Sequence, residues 1–225
     1  MASPEYEHRK SDLLNAAREL FFVQGYEKTS VSDIIQKVGV AKGSFYYYFT
    51  SKEEILDTLI DDIALQGIEK VRDIVANSSL NALCKLNRVF KIARDWKLEN
   101  RHMMQDTLRV LYGDKNLIIR HKLAQRNIAL AVPEVASIIR QGIEEGVFNA
   151  VNPDDTAELI VFLGTALNDI FARYLLEMDA HPDHIMILKA KTASYESAII
   201  RILGAPENSI KAVPLSFFED MLAVR

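Results

Sequence analysis

Apolar residues recur along this chain at spacings of three and four, and strand-like alternation bounded by hairpin turns is absent, so the pattern predicts helix nearly throughout. Ser3-Pro4 can open a first helix, with Leu13, Ala17, Leu20 and Phe21 on one face and Gly25 as its stop. A short second helix starts near Ser30-Val31, has Val31, Ile34, Ile35 and Val38 as its apolar residues, and ends at Gly39. A third short helix runs from about Ala41 to Tyr48. Ser51 followed by Glu54 predicts a capping box, opening a long helix to about Ala76. Further helices are expected over Ser79 to Leu98, Arg101 to Tyr112 and Lys115 to Leu130, with a break at Pro133 that begins a shorter one ending at Gly146. Asn152-Pro153 starts a helix reaching about Met178, and the last long helix follows His181-Pro182-Asp183 to about Leu203. Pro206 and Pro214 bracket a polar piece, and SFFEDML predicts a short amphipathic tail helix.

Composition changes this picture little. The 225 residues are 49% hydrophobic and 26% charged, enough for one large domain or a small module plus a larger one with a sizeable core. The net charge of -4 gives no bulk attraction to nucleic acid. Residues 1–52 carry net +1 and the remainder -5, so contact with DNA would depend on local placement of charge. Cys84 is the single cysteine, which excludes an internal disulfide or a thiolate metal cluster. The N-terminus lacks the apolar core of a signal peptide, and no uninterrupted apolar run approaches a membrane span; a cytoplasmic protein is expected.

The densest chemistry lies in GVAKGSFYYYFTSKEEIL, residues 39–56. Two short helices joined by a Gly-containing turn describe a helix-turn-helix, whose second helix enters the major groove. At 100° per residue, Phe45 and Phe49 fall about 40° apart and Tyr47 points to the opposite side. Phe45, Phe49 and Val40 are therefore expected to bury, while Gly43, Ser44, Tyr47 and Tyr46 face outward and Tyr48 lies nearer the core. Gly43 lets a backbone approach closely. Lys42 sits near a helix N-terminus and Lys52 at the start of the next helix, both settings that favour phosphate. Tyrosine can donate to a phosphate and pack on sugar or a thymine methyl. The same tyrosines also suit a protein-binding face, and geometry leaves that alternative open.

This segment, with the upstream TSVSDIIQKVG and LLNAARELFFVQGYEKTSV, resembles the DNA-binding region of the TetR family of transcriptional regulators over about residues 8–60. The resemblance implies an all-α fold: a helix-turn-helix domain over residues 1–50, and a helical ligand-binding and dimerisation domain over 51–225, joined by the helix from residue 51. It implies a homodimer on a palindromic operator, most members being repressors released by a small molecule. It places Lys42, Ser44, Tyr46, Tyr47 and Tyr48 at recognition-helix positions, and Thr29, Ser30, Ser32 and Lys52 where members touch phosphates. Many members have His where this chain has Tyr48. Arg9 and Lys10 are further candidates for the DNA backbone.

In the larger part, the helices over about 153–178 and 183–203 carry wide apolar faces, with small residues at Gly164, Ala166, Ala190, Ala193 and Ala198. The resemblance favours a four-helix dimer interface from this pair in each subunit. Candidate ligand-binding residues are Phe90, Trp96, Met103, Met104, Arg109, Tyr112, His121 and Asn168, a composition suited to an apolar or amphipathic effector. Asn168 and Asp169 interrupt an apolar helix, with Arg173 available to pair with them. No cofactor, metal or catalytic motif is expected: the five histidines lack an H-E-x-x-H pattern, and no Gly-x-Ser-x-Gly elbow or phosphate loop occurs. The alternatives are a helical interaction module without DNA binding, and a ligand-dependent activator on the same fold.

Overall fold

The computed structural model of the chain describes residues 4–99, 107–178, 180–214 and 217, except for the side chains of Pro4, Trp96 and Lys97. The described residues form α1 (Pro4–Gln24), α2 (Val31–Val38), α3 (Lys42–Tyr48), α4 (Lys52–Ala76) and α5 (Ala82–Glu99). A helical stretch α6 at 107–111, a 3-10 turn (Asp114–Asn116), α7 (Leu117–Glu144), α8 (Pro153–Leu176) and α9 (His184–Leu203) follow, and no strand occurs among the described residues. Two compact units emerge: 1–64 with 109–126, and 65–108 with 127–225.

In the first unit, Leu13, Ala17 and Phe21 of α1 bury with Ile34, Phe45, Phe49 and Ile55, and Ile119 of α7 joins the same cluster. The α2–α3 turn closes at Gly39, whose φ of 74° suits a residue without Cβ, and the Val40 N–H returns to the Ile35 carbonyl. Lys122 donates to Asp57 (2.8 Å) and Glu53 (3.1 Å) on α4, and Arg126 pairs with Asp61 at 2.6 Å. The bond to Asp57 is the main reason the Lys122 ammonium holds its proton above the ordinary lysine range.

The second unit has two apolar clusters. One joins Leu86 of α5, Val135, Ile138 and Ile139 of α7, Ile160 of α8 and Ile199 and Leu203 of α9; the other joins Phe171, Met178, Leu188 and Phe217. After α7 the chain folds back so tightly that a Cβ on Gly142 would lie 2.0 Å from the Phe148 ring. Asn152 accepts from the Asp154 and Asp155 N–H groups, so the Asn152-Pro153 start signal operates as expected.

Several boundaries differ from expectation. Helix α5 begins at Ala82, not Ser79, because Asn77 holds the Ser79 N–H in a local turn (3.0 Å) and Asn81 caps the helix through the Cys84 N–H (2.8 Å). Pro133 does not break the chain: α7 runs through it. A helix-interior proline costs about 3 kcal/mol, and the buried Val135, Ile138 and Ile139 just beyond it offset that at about 1.5–3 kcal/mol each. The Ser51–Glu54 box is divided: Ser51 accepts from the Glu54 N–H, but the Glu54 carboxylate accepts from the N–H and hydroxyl of Thr50. Ser3 lies outside the described residues, as do much of the 101–112 helix and, apart from Phe217, the 216–222 tail helix.

Candidate nucleic-acid interface and ligand cavity

The short helix α3 is anchored from behind and open in front. Phe45 and Phe49 are 0% and 1% exposed, whereas Tyr47 is 70% and Tyr46 48% exposed. Lys42 and Gly43 are also exposed, Ser44 is half-buried, and no atom lies within 4 Å of a Cβ built on Gly43. A single apolar stripe thus fixes the rotation of α3 about its axis and turns the glycine–tyrosine side outward. Tyr48 is half-buried beneath Tyr6 of α1, ring centroids 4.7 Å apart, and Tyr6 also meets the Tyr47 ring edge-on at 5.6 Å. Burial, and then the neighbouring Tyr47 and Tyr6 phenols, raise the Tyr48 phenol above its ordinary range. Tyr6 was invisible to sequence reasoning because the contact joins residues some forty positions apart.

The side chains at the α2 start bond within the protein. Ser30 caps the helix: its hydroxyl accepts from the Asp33 N–H (3.1 Å) and donates to the Asp33 carboxylate (2.8 Å), which also takes the Ser30 N–H (2.7 Å). These bonds, the backbone one first, hold the Asp33 carboxyl below its ordinary range. Thr29 is 1% exposed and donates its hydroxyl to the Gly25 carbonyl at 2.8 Å, so its side chain is part of the core. Ser32 is exposed. The Lys52 ammonium donates to the Tyr26 carbonyl (2.9 Å) and lies 4.1 Å over the Tyr26 ring, which pins the start of α4 to the loop after α1. Arg9 is exposed, within 3.8 Å of Asp12; Lys10 lies 5.9 Å from the Phe49 ring centroid.

The second unit encloses a cavity of about 260 Å³. Its apolar wall includes Leu86, Val89 and Phe90 of α5, Ile128 of α7, and Ile160 and Phe171 of α8. Its polar groups include Arg94, Asn127, Thr165, Asn168 and Tyr195. Burial pushes the Tyr195 phenol far up, and its hydroxyl makes only a long contact of 3.5 Å to the Ile160 carbonyl. Gly164 lines the same region, where a Cβ would come within 2.9 Å of that hydroxyl. Ala212, Val213 and Phe217 complete the wall. The segment carrying them is tied down by side chains: Asn87 bonds the Ser209 carbonyl and the Lys211 N–H, and Glu196 takes the Val213 N–H.

Of the ligand candidates, Phe90 and Asn168 line this cavity. Arg109, Tyr112 and His121 do not; they belong to the first unit, where the Arg120 guanidinium covers the Tyr112 ring at 4.5 Å. The side chain of Trp96, and Met103 and Met104 entirely, lie outside the described residues. Arg94, Tyr195, Ala212, Val213 and Phe217 were missed, since the cavity draws on parts of the chain far apart in sequence. The Asp169 and Arg173 side chains pair at 3.8 Å along α8. Among the described residues, no group of three or more His, Cys, Asp or Glu side chains could hold a metal ion.

Comparison with known proteins bears on both units. Residues 13–59 match the family model described as bacterial regulatory proteins, tetR family, and residues 97–178 match the tetracyclin repressor-like C-terminal domain. The HTH-type transcriptional repressor KstR2 of Mycobacterium tuberculosis is 31% identical over 157 residues, spanning 68% of this chain and 74% of that protein. The structure of SmeT, the repressor of the Stenotrophomonas maltophilia multidrug efflux pump SmeDEF, shares the fold at TM-score 0.58 and 13% identity, covering 92% of this chain and 95% of its own. A transcriptional regulator of the TetR/AcrR family from Thermobifida fusca shares it at TM-score 0.50 and 22% identity, over 70% of this chain and 82% of that one.

Proposed function

The chain belongs to the TetR family of bacterial transcriptional regulators, and on that premise we propose that it is a repressor that binds a palindromic operator as a homodimer and is released by a small apolar or amphipathic effector. The observation that carries the reading is the rotation of α3: Phe45 and Phe49 buried, Tyr46 and Tyr47 exposed with Lys42 and Gly43 beside them. In this reading α3 lies in the major groove. Tyr46 and Tyr47 meet sugar, phosphate or thymine methyls, and Lys42 meets phosphate. Ser32 and Ser44 supply hydroxyls at the edges of the contact. Lys52 and Ser30 act by holding the α4 and α2 starts in place.

The dimer in this proposal forms through α8 and α9. Leu159, Phe162 and Leu163 of α8 are 59%, 50% and 40% exposed, and Met186 of α9 is 65% exposed. Ala166, Ala190 and Ala193 are also exposed and permit close helix contact. A second copy would bury these positions by two-fold pairing into a four-helix bundle. The effector occupies the cavity of the second unit, whose largely apolar wall suits a ligand of that polarity. Release requires that the effector bind the DNA-competent and DNA-incompetent states with different affinity.

The experiment is a protection map of duplex DNA around the protein's own gene. The expected footprint has two half-sites about 34 Å apart, one helical turn, with affinity falling steeply as salt rises. Absence of any protected duplex at low salt rejects the operator reading in favour of a protein-interaction module.

A further inference from the structure

Arg94 is the one charged side chain among the described residues lining the cavity. Its side chain is 15% exposed, and its neighbouring carboxylate, Asp95, stands 4.0 Å from Nε and is already engaged by the Lys91 ammonium in a shorter bond. One terminal N–H group donates to the Ala212 carbonyl at 3.2 Å. A guanidinium carries five N–H donors in a planar fork, more than these two partners use. A cation largely withdrawn from water, whose neighbouring carboxylate stands at 4.0 Å and is shared with Lys91, is only partly compensated. A carboxylate entering the cavity would add the closer, bidentate partner that guanidinium favours. The remaining wall offers apolar surface.

We propose that the cavity selects a carboxylate-bearing amphiphile, with its apolar body against Leu86, Phe90, Ile128, Ile160 and Phe171 and its carboxylate held by Arg94. This rests on reading the cavity as the effector site. Because Arg94 also holds the Ala212 carbonyl, a carboxylate on its fork contacts the side chain that anchors the 209–213 segment. The charge, not the chain, decides the selection: without Arg94, desolvation would favour a neutral alcohol over a carboxylate of equal length.

The test uses full-length protein without DNA and calorimetric binding of straight-chain carboxylates from hexanoate to dodecanoate, each beside the alcohol of the same length. The best-fitting carboxylate is expected to bind at least about tenfold more tightly than its alcohol, the scale of a hydrogen bond to a charged group. Arg94→Gln should bring that ratio to one or below, and Arg94→Lys should retain part of the preference. Thermal melts report whether each variant folds; if Arg94→Gln does not, the partial preference in Arg94→Lys decides. Equal or tighter binding of the alcohol, survival of the preference in Arg94→Gln, or no binding by any carboxylate in the series overturns the proposal. Operator affinity measured in parallel separates it from its premise. Carboxylate binding that leaves operator affinity unchanged removes the effector reading and leaves the selectivity. Operator release by the alcohol does the reverse.

Discussion

Tyr47 on α3 and Phe49 at its C-cap lie two residues apart, one 70% and the other 1% exposed. Tyr47→Ala is expected to weaken operator binding while leaving the melting temperature nearly unchanged, since an exposed ring contributes little to the core. Phe49→Ala should destabilise the first unit by about 3–5 kcal/mol, as truncation of a buried Phe does. Equal losses in the two melts would contradict the rotation assigned to α3. Gly43 gives a sharper separation. With nothing within 4 Å of its added Cβ, the free protein has room for alanine, and helix propensity favours alanine by up to about 1 kcal/mol. Gly43→Ala should therefore melt at the same temperature or higher, yet bind operator more weakly if DNA approaches this backbone. A variant with undiminished operator affinity shows that the glycine has no role at the DNA surface.

At the scale of elements, two helix starts in the reading head depend on carboxylates held charged. Ser30 lowers the Asp33 pKa through its N–H and hydroxyl, and Thr50 lowers that of Glu54 through its hydroxyl and N–H. A carboxyl whose folded pKa is depressed contributes stability above its unfolded value, about 4, and loses it as pH falls through the folded value. Acid melting of this unit should steepen below about pH 4, and Asp33→Asn combined with Glu54→Gln should flatten that limb; an identical acid limb in the double variant removes the caps from the account. In the second unit, Gly142→Ala forces a methyl into the Phe148 ring, a clash expected to cost about 1–3 kcal/mol. Phe148→Leu in the same chain should recover part of it, and additive losses in the double variant would mean the two positions do not meet. These elements also mark what the sequence could disclose. The facing of α3 and the Asn152 start followed from local period and capping chemistry. Pro133 misled because the break it favours was overruled by burial on the following turns. The cavity was legible only at Phe90 and Asn168, because its wall is assembled from α5, α7, α8, α9 and Ala212, Val213 and Phe217. No local pattern announces that residues 109–126, with Arg109, Tyr112 and His121, group with the first helices.

For the whole molecule, α8 poses a question of cover. Its 25-residue span from Pro153 to Glu177 has an 18-residue window of mean hydropathy 1.5 of which 22% is buried, so by length and composition it could cross a membrane. The arrangement of its exposed positions favours a partner helix instead. Leu159, Phe162, Leu163 and Ala166 fall at spacings of three and four on one face, while Ile160, Phe171 and Ala172 are buried. Membrane lipid would accept apolar residues all round, whereas this helix also carries Glu158, Asp169 and Arg173. Two-fold pairing would withdraw Leu159, Phe162 and Leu163 of both copies from water, at up to about 1.5–3 kcal/mol for each fully buried side chain, against an association cost of about 4–15 kcal/mol. Leu159→Glu combined with Phe162→Glu should therefore yield a folded monomer in sedimentation, because both side chains are exposed within one copy. Operator affinity should fall steeply with it, since one reading head keeps only half of the contacts. A variant that still sediments as a dimer places the interface elsewhere, and a monomer with full operator affinity removes the need for two copies on the DNA.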